Sequence, residues 1–232
     1  MQLSVQNVAQ FLNISEKTLY RMLRHGEIPA QKIHDQYRFN RTELLEWAMA
    51  HHKTMSPEFI KNEENTSSTP MPRLSAALQA GGIFYHLKGV DKKSALGSLA
   101  AVLRLPPGAD RNLLLKMLLA REAMASTSIG EGIAVPHARN PLVLRVAEPQ
   151  IALGFLQAPV DFQALDGQPV FAMFSIITPT VRIHLHFLSR LAFALQDAGF
   201  RAAIRCQAKD AHILQELQRV ESSFAPAARK AQ

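Results

Sequence analysis

Residues 121–139 of the chain read REAMASTSIGEGIAVPHAR, and they carry the strongest local signals in the sequence. The Gly-Glu-Gly of residues 130–132 permits a tight turn, the Ile-Ala-Val of residues 133–135 is typical of a short buried strand, and Pro136 ends that strand. This pattern predicts that the side chain of His137 is held in a fixed position at the end of the strand. Its imidazole, with an unperturbed pKa of about 6.5, can accept and release a phosphoryl group or act as a base. A structural histidine at a strand end is the alternative.

A helix predicted over residues 181–198 contains two histidines that lie two positions apart. His184 shares its face with the apolar residues, so we expect it to point inward. His186 falls on the polar side with Arg190 and Asp197. His184 is therefore the candidate for a second site imidazole, and a core histidine bonded to a carbonyl or hydroxyl is the alternative.

Arg121 ends a leucine-rich helix just before Ser126 and Thr127. A planar guanidinium suits the oxygens of a phosphate, and the two hydroxyls are further candidate donors to them. A solvated arginine at a helix end is the alternative. His137 and His184 have no third ligand at a recognisable spacing, so we expect no metal site.

Residues 1–52 contain clear sequence signals for the starts and ends of helices. Ser4 and Ser15 are predicted N-caps of two helices, and Gly26 ends the second helix, residues 16–24. This spacing of helix starts and ends is typical of a helix-turn-helix. One face of the second helix is basic and hydroxylic and consists of Lys17, Thr18, Arg21 and His25. Such a face suits DNA phosphates and base edges in a major groove, and a solvated face is the alternative.

Two short strands, residues 27–33 and 37–39, and a helix over residues 41–50 complete a mainly α winged helix in outline. We expect that helix to bury Leu44, Leu45 and Trp47.

Residues 3–47, LSVQNVAQFLNISEKTLYRMLRHGEIPAQKIHDQYRFNRTELLEW, closely resemble the excisionase-type helix-turn-helix family, which is related to MerR-like winged helices. The resemblance implies DNA binding, with the helix of residues 16–24 in the major groove and Lys32 and Arg38 of the wing on phosphates. A glycine is common in the wing turn of that family, whereas this chain has His-Asp at residues 34–35. A module kept only for protein contacts is the alternative.

Composition divides the chain into two domains, residues 1–52 and 73–223. Residues 53–72 are polar and proline-rich and predict a flexible linker, and residues 224–232 predict a frayed tail. In the second domain the predicted helices cover residues 92–103, 111–121, 181–198 and 211–220, and the predicted strands cover residues 83–85, 133–135, 151–156 and 170–177. This order favours an α/β domain with a small mixed sheet flanked by helices.

A formal charge of +7 and a pI near 9.8 permit an anionic partner, but lysines and arginines are scattered along the whole length. The single cysteine, Cys206, excludes an internal disulfide, and the first residues lack a signal-peptide pattern, so we expect a cytoplasmic protein. The longest apolar run, near residues 170–177, is far shorter than the ~20 residues that span a bilayer. We therefore expect no membrane insertion.

The motif RExxxSTxIGxGIAVPH at residues 121–137 is similar to the signature of the enzyme IIA family of the phosphoenolpyruvate phosphotransferase system, in its fructose, mannitol and nitrogen-regulatory class. An HLxxLxxLA pattern at residues 184–192 also matches, and the similarity covers about residues 74–221. The resemblance implies an α/β fold with a mixed sheet. The site residues that it implies are the phosphorylated His137, the second histidine His184 and the arginine Arg121.

The resemblance further implies that a histidine-containing phosphocarrier protein donates the phosphoryl group to a ring nitrogen of His137. It implies that no metal or bound cofactor is needed.

Together the two halves predict a transcription regulator whose DNA-binding head is controlled by phosphorylation of His137. One alternative is a phosphocarrier transferase that passes the group to a sugar-permease component; a IIB-type or transmembrane domain would favour it, and neither is seen in this sequence. Another is a regulator that binds a metabolic kinase or transporter. Because one head reads few base pairs, we expect a homodimer on double-stranded DNA, with half-sites about 10 base pairs or a multiple apart.

Overall fold

The computed structural model describes residues 2–51, 53, 55–56, 71–138 and 146–223. The chain divides into two compact units, Met1–Ser68 and Thr69–Gln232. The predicted tail and most of the predicted linker lie outside the described residues.

The first unit is a helix-turn-helix with a hairpin. Its elements are β1 (Gln2–Leu3), α1 (Val5–Phe11), α2 (Glu16–Arg24), β2 (Gln31–Ile33), β3 (Gln36–Asn40) and α3 (Arg41–Ala50). The strands form an antiparallel sheet in the order β1-β3-β2. The side chains of Ser4 and Ser15 accept backbone N–H groups at the starts of α1 and α2, as predicted. The predicted winged helix is confirmed.

The wing turns without glycine. His34 and Asp35 both adopt left-handed backbone angles, with φ values of 47° and 60°, which a tight hairpin turn requires at both central residues. On α3, Leu44 and Leu45 are buried as predicted. The prediction that Trp47 is buried was wrong: it is half-buried, and its ring stacks on His51 with a centroid distance of 4.8 Å.

Ordered packing on the first unit continues past residue 52. The side chain of Met55 is only 1% exposed, and the Ser56 N–H donates to the Phe11 carbonyl at 2.9 Å. The segment predicted as linker, residues 53–72, therefore includes a residue, Met55, that belongs to the core of the first unit.

The second unit is an α/β domain. Its elements are α4 (Leu74–Gly81), β4 (Ile83–Leu87), α5 (Lys92–Val102), α6 (Arg111–Met124), β5 (Ser128–Gly130), β6 (Ile133–Ala134), β7 (Gln150–Val160), β8 (Val170–Ile177), α7 (Val181–Ala194), α8 (Ala198–Arg205) and α9 (Asp210–Ser222). The five-stranded sheet has the order β4-β7-β8-β6-β5. Strand β4 is parallel to β7 and β6 is parallel to β8, whereas the other two pairings are antiparallel. The predicted mixed sheet flanked by helices is confirmed.

Helices cover both faces of this sheet, as neighbouring residues of β8 show. Met173 packs in one core cluster with Leu96 and Leu99 of α5. Phe174 points to the opposite face, where its ring lies 6.3 Å from that of Phe200 on α8. A strand buried on both faces reads as a continuous apolar run, which is why β8 was recognisable from sequence.

Three elements of this unit were not predicted: α4, β5 and α8. The helix predicted over residues 181–198 ends at Ala194, and a separate helix starts at Ala198. The cause is Asp197, whose carboxylate accepts the Phe200 N–H at 2.9 Å and caps the new helix. The sequence interpretation had placed Asp197 on the polar face of the preceding helix.

A carboxylate from the far end of the domain holds the start of α4. Glu221 of α9 accepts the N–H groups of Leu74 at 2.5 Å and Ser75 at 3.2 Å, and also the Ser75 hydroxyl. A helix N-terminus has unsatisfied N–H groups, and Glu221 pairs with two of them. This contact closes the domain between its first and last helices.

The prediction that His186 lies on a solvated side was wrong. Helices α4 and α9 both pack on α7, so His186 is only 4% exposed. Its Nε2 lies 3.2 Å from the Pro72 carbonyl, which can only accept, so this nitrogen carries the proton and donates it. Burial, reinforced by the charges of Arg190 and Arg182, lowers the pKa of His186 to about 4.

The low pKa of His186 makes the stability of this unit pH-dependent. The unfolded chain binds the proton near pH 6.5 and the folded chain only near pH 4, so stability falls as pH falls through this window. The free energy of unfolding of the wild type should lose roughly 3 kcal/mol from this group between those pH values. Urea denaturation followed by circular dichroism at pH 7 and pH 4.5 measures the loss.

The matched variant is His186→Gln, whose amide nitrogen can donate to the Pro72 carbonyl but does not titrate. Its stability should fall less steeply with pH than that of the wild type. Equal slopes for the two proteins would contradict the assigned role of His186.

Candidate functional site

His137 lies at the end of a short parallel pairing at one edge of the sheet. Strand β6 pairs with β8, and His137 extends this alignment through a bridge to Ile176. The side chain is only 2% exposed. The expected strand before His137 is therefore present, and it places the imidazole in the interior at the strand end. Arg139, which ends the quoted sequence stretch, lies outside the described residues.

A hydrogen bond to the backbone indicates the tautomer of His137. Its Nδ1 lies 2.7 Å from the carbonyl oxygen of Val135. A carbonyl oxygen only accepts hydrogen bonds, so Nδ1 carries the proton and Nε2 carries the lone pair of the neutral ring. In this tautomer Nε2 is the nucleophilic atom of the side chain.

The Gly-Glu-Gly turn that leads into β6 is held by ion pairs. Gly130, Glu131 and Gly132 all have positive φ values, 86°, 52° and 74°, which confirms the predicted tight turn. The Glu131 carboxylate pairs with Arg201 at 2.6 Å and Arg205 at 3.1 Å, both on α8. The helix that was missed in the sequence thus fixes the turn in front of the site strand.

The structure brings His184 to His137. Helix α7 begins directly after β8 with Thr180 as its N-cap, and His184 stands in its first turns. The centroids of the two imidazoles lie 5.1 Å apart with an angle of 47° between the ring planes, and His184 is 2% exposed. The inward orientation expected for His184 is confirmed.

Arg121 is buried at the end of α6 and lies on the loop that precedes β5. It is only 6% exposed, and its Nη1 donates to the Ala125 carbonyl at 2.8 Å. The guanidinium thus contacts the residue that follows the end of its own helix. This position differs from the solvated helix end that was the alternative.

The hydroxyls of Ser126 and Thr127 have structural partners in this structure. The Ser126 hydroxyl donates to the Phe162 carbonyl at 2.7 Å, and the Thr127 hydroxyl donates to a carboxylate oxygen of Glu122 at 2.5 Å. Donation by these hydroxyls to a phosphate on His137 stays a prediction, and it requires each hydroxyl to exchange its present acceptor for a phosphate oxygen.

Glu122 is a residue that the sequence interpretation missed. It is 5% exposed, and its Oε2 accepts both the N–H of Thr127 at 2.8 Å and the hydroxyl of the same residue. Its other oxygen lies 3.5 Å from Lys92 Nζ. A signal was available, because Glu122 follows the buried Leu118 by one helical repeat and therefore belongs to the inward face of α6.

The residues predicted to bind DNA lie on the surface of the first unit. On α2, Lys17 and Arg21 are exposed and Thr18 is partly exposed, with its hydroxyl 2.9 Å from that of the N-cap Ser15. The hairpin stands beside this helix, since Tyr20 of α2 and the wing residue Tyr37 meet edge to face with ring centroids 6.3 Å apart.

The two wing cations make local polar contacts. Lys32 Nζ lies 2.8 Å from Asp35, and Arg38 donates to Gln36 at 2.6 Å. An ion pair as exposed as that of Lys32 contributes little to stability, so exchanging it for a phosphate costs little.

Within the described part of the chain, no three His, Cys, Asp or Glu side chains are grouped so that they could hold a metal ion. In that same part, no helix combines the length and the apolar character needed to cross a membrane.

Comparison with known proteins matches both units. The family described as "Phosphoenolpyruvate-dependent sugar phosphotransferase system, EIIA 2" matches residues 76–220, and a helix-turn-helix domain family matches residues 3–52. The crystal structure of the nitrogen regulatory protein IIA-Ntr from Neisseria meningitidis is similar with a TM-score of 0.55 at 25% sequence identity, covering 62% of this chain and 98% of that protein.

Two curated relatives differ in how much of their length is matched. The nitrogen regulatory protein of Pseudomonas aeruginosa is 37% identical over 138 residues, which are 58% of this chain and 88% of the relative. The fructose-specific EIIABC component of Bacillus subtilis is 32% identical over 145 residues, which are 61% of this chain but only 22% of the relative. Since the family match covers more than half of the chain, the protein belongs to the EIIA 2 family of the phosphoenolpyruvate-dependent sugar phosphotransferase system and carries a helix-turn-helix DNA-binding domain in front of it.

Proposed function

We propose that this protein is a DNA-binding transcription regulator whose EIIA-type domain accepts a phosphoryl group on Nε2 of His137 from a histidine-containing phosphocarrier protein. The observation that carries the proposal is the pair of buried imidazoles, 5.1 Å apart, in which the Val135 carbonyl holds the proton of His137 on Nδ1. The family match of residues 76–220 supports the same chemistry.

The transfer needs no proton to leave His137 first. The lone pair of Nε2 attacks phosphorus, the P–N bond to the donor imidazole breaks, and its electron pair stays with the donor nitrogen. The Nδ1 proton remains bonded to the Val135 carbonyl, which stabilises the positive charge that the ring acquires when Nε2 binds phosphorus.

We assign supporting roles to His184 and Arg121. An imidazole at the distance of His184 can donate to an oxygen of the transferred group, and the buried guanidinium of Arg121 supplies a fixed positive charge. Phosphoryl transfer depends mainly on positioning and electrostatic stabilisation, so two preset groups of this kind suit it.

Because the chain also contains a DNA-binding domain, we propose that phosphorylation of His137 controls transcription. A helix-turn-helix domain is part of the same chain, and phosphorylation adds close to two negative charges to the second unit. Repulsion between this charge and DNA, or a new contact with a basic surface, then biases DNA binding. We propose that the protein binds as a homodimer, because two heads read a longer site than one.

A phosphocarrier transferase is the second candidate. The Bacillus subtilis relative is named as a component of a fructose-specific system, and EIIA-type relatives therefore include proteins of sugar transport. Transfer of label from His137 to an isolated permease component would favour this function. Other relatives are named nitrogen regulatory proteins, and these names favour regulation. Regulation of a bound metabolic kinase or transporter without DNA binding is the third candidate.

Phosphorylation should require His137 and depend on His184. Incubation with phosphoenolpyruvate and the purified donor proteins should add one phosphoryl group to the wild type and none to His137→Ala. His184→Gln should slow the transfer by about 100-fold, since it removes an imidazole next to the reacting nitrogen. Mass spectrometry with histidine mapping and rate measurements check both outcomes.

His186→Gln is the matched control, because this histidine is also buried on α7 but faces Pro72. It should be phosphorylated at about the wild-type rate. Label on a histidine other than His137 would reject the assigned acceptor.

Phosphorylation should change operator binding. After selection of a preferred DNA site, the affinities of phosphorylated and unphosphorylated wild type should differ by at least about fivefold, the lower end of usual coupling between sites. His137→Ala should show one affinity whether or not the donor proteins are added. Identical affinities in all four samples would reject regulation by phosphorylation.

The exposed cations of α2 should contact DNA. Lys17→Ala and Arg21→Ala should each weaken DNA binding and lower the slope of log affinity against log salt by about 1, the effect of one lost phosphate contact. Lys116→Ala removes the same charge from an exposed site on α6 of the second unit and should leave the slope unchanged. Fluorescence anisotropy over a salt series measures the slopes, and unchanged slopes for the first two variants would place the DNA elsewhere.

A further inference from the structure

A buried carboxylate is hydrogen-bonded to the segment that precedes strand β5. Glu122 lies on α6, and its Oε2 accepts both the N–H and the hydroxyl of Thr127. Lys92 supplies a positive charge 3.5 Å from Oε1, and the same ammonium donates to Gln163 at 2.9 Å. Removing a charge from water is costly, so a carboxylate only 5% exposed indicates a specific positional role.

The contacts of Glu122 continue through the backbone to the acceptor histidine. The Thr127 carbonyl accepts the Val135 N–H at 2.9 Å. The carbonyl of Val135 then accepts the Nδ1 proton of His137 at 2.7 Å. Hydrogen bonds therefore connect the carboxylate to the imidazole through two residues, Thr127 and Val135.

We propose that Glu122 and Thr127 are positioning residues for phosphoryl transfer, because they hold the backbone of Val135 in the place where its carbonyl keeps the His137 proton on Nδ1. The inference rests on the proposed function of His137 as the phosphoryl acceptor. Neither residue touches the transferred group, and both act through the Val135 carbonyl.

The position of the Val135 carbonyl matters because it determines the tautomer of His137. If the Val135 carbonyl moves out of hydrogen-bonding range, the proton of His137 is no longer held on Nδ1. In the other neutral tautomer Nε2 carries the proton and has no lone pair for attack on phosphorus. Loss of the Glu122 contact therefore reduces the fraction of molecules that are ready to react.

The test separates the acceptor role of Glu122 from its charge. Glu122→Leu removes the acceptor with little change in volume, whereas Glu122→Gln retains one side-chain oxygen for Thr127. Long-range proton–nitrogen spectra of the unphosphorylated full-length protein should show the ring proton of His137 on Nδ1 in the wild type and in Glu122→Gln. A mixture of tautomers is expected in Glu122→Leu.

Rates of transfer from the purified phosphocarrier protein should follow the spectra. We expect the transfer rate to fall about tenfold in Glu122→Leu, about threefold in Thr127→Val and less than about threefold in Glu122→Gln. The order follows from the number of hydrogen bonds removed, which decreases from the first variant to the last. If Glu122→Leu does not fold, Thr127→Val decides, since it retains the carboxylate and its contact with the backbone N–H.

Glu221→Leu is the matched control. Like that of Glu122, its carboxylate accepts backbone N–H groups and a hydroxyl, in this case two N–H groups and one hydroxyl at the start of α4. It should lower stability while leaving the His137 tautomer and the transfer rate as in the wild type. A wild-type tautomer in both Glu122→Leu and Thr127→Val, whatever their rates, would overturn the proposal, as would the same tautomer change in Glu221→Leu.

The spectra also separate this inference from the proposed function. If the wild type accepts no phosphoryl group from a phosphocarrier protein, the proposed function fails. The tautomer measurement, made without phosphate, still decides whether Glu122 and Thr127 position the His137 ring.

Discussion

The parallel pairing of β6 with β8 is the constraint on which the site depends. Parallel strands end at the same edge of a sheet, so the residues that follow them meet there. His137 follows β6, and the chain that leaves β8 turns directly into α7, which carries His184. Two histidines that are 47 positions apart in sequence thus come to a centroid distance of 5.1 Å.

That pairing is short, and the residues around it stabilise it. Strand β6 consists of Ile133–Ala134, and on its far side it pairs only with the three residues of β5. The turn between β5 and β6 is tied to α8 through Glu131, and the segment before β5 is tied to α6 through Glu122. Buried or half-buried carboxylates thus replace the long strand pairing that normally fixes register.

The sequence predicted the parts of this arrangement that depend on local chemistry. Two serines with the correct spacing predicted the N-caps of the first unit, and the Gly-Glu-Gly sequence predicted a tight turn, which the positive φ values confirm. The apolar face of α7 predicted that His184 points inward, because that face is set by helical periodicity alone. Its proximity to His137 did not follow from the residues, since sheet order is not encoded in local periodicity.

Properties that depend on several elements were not predictable in this way. His186 was placed in solvent because periodicity assigns a helix one buried side, yet α4 and α9 cover the other side of α7. The present acceptors of the Ser126 and Thr127 hydroxyls were not predictable either, because they come from residue 162 and from the preceding helix. Tertiary partners decide such contacts, and single-sequence patterns do not contain them.

Burial on both sides gives the two histidines of α7 different chemistry. His184 faces another imidazole at the sheet edge, whereas His186 donates to the carbonyl of Pro72, just before α4 begins. One rigid helix therefore contacts both the acceptor site and the first described residues of the second unit. The helical spacing of these two residues alone sets which neighbour each imidazole meets, since the element on each side of α7 is different.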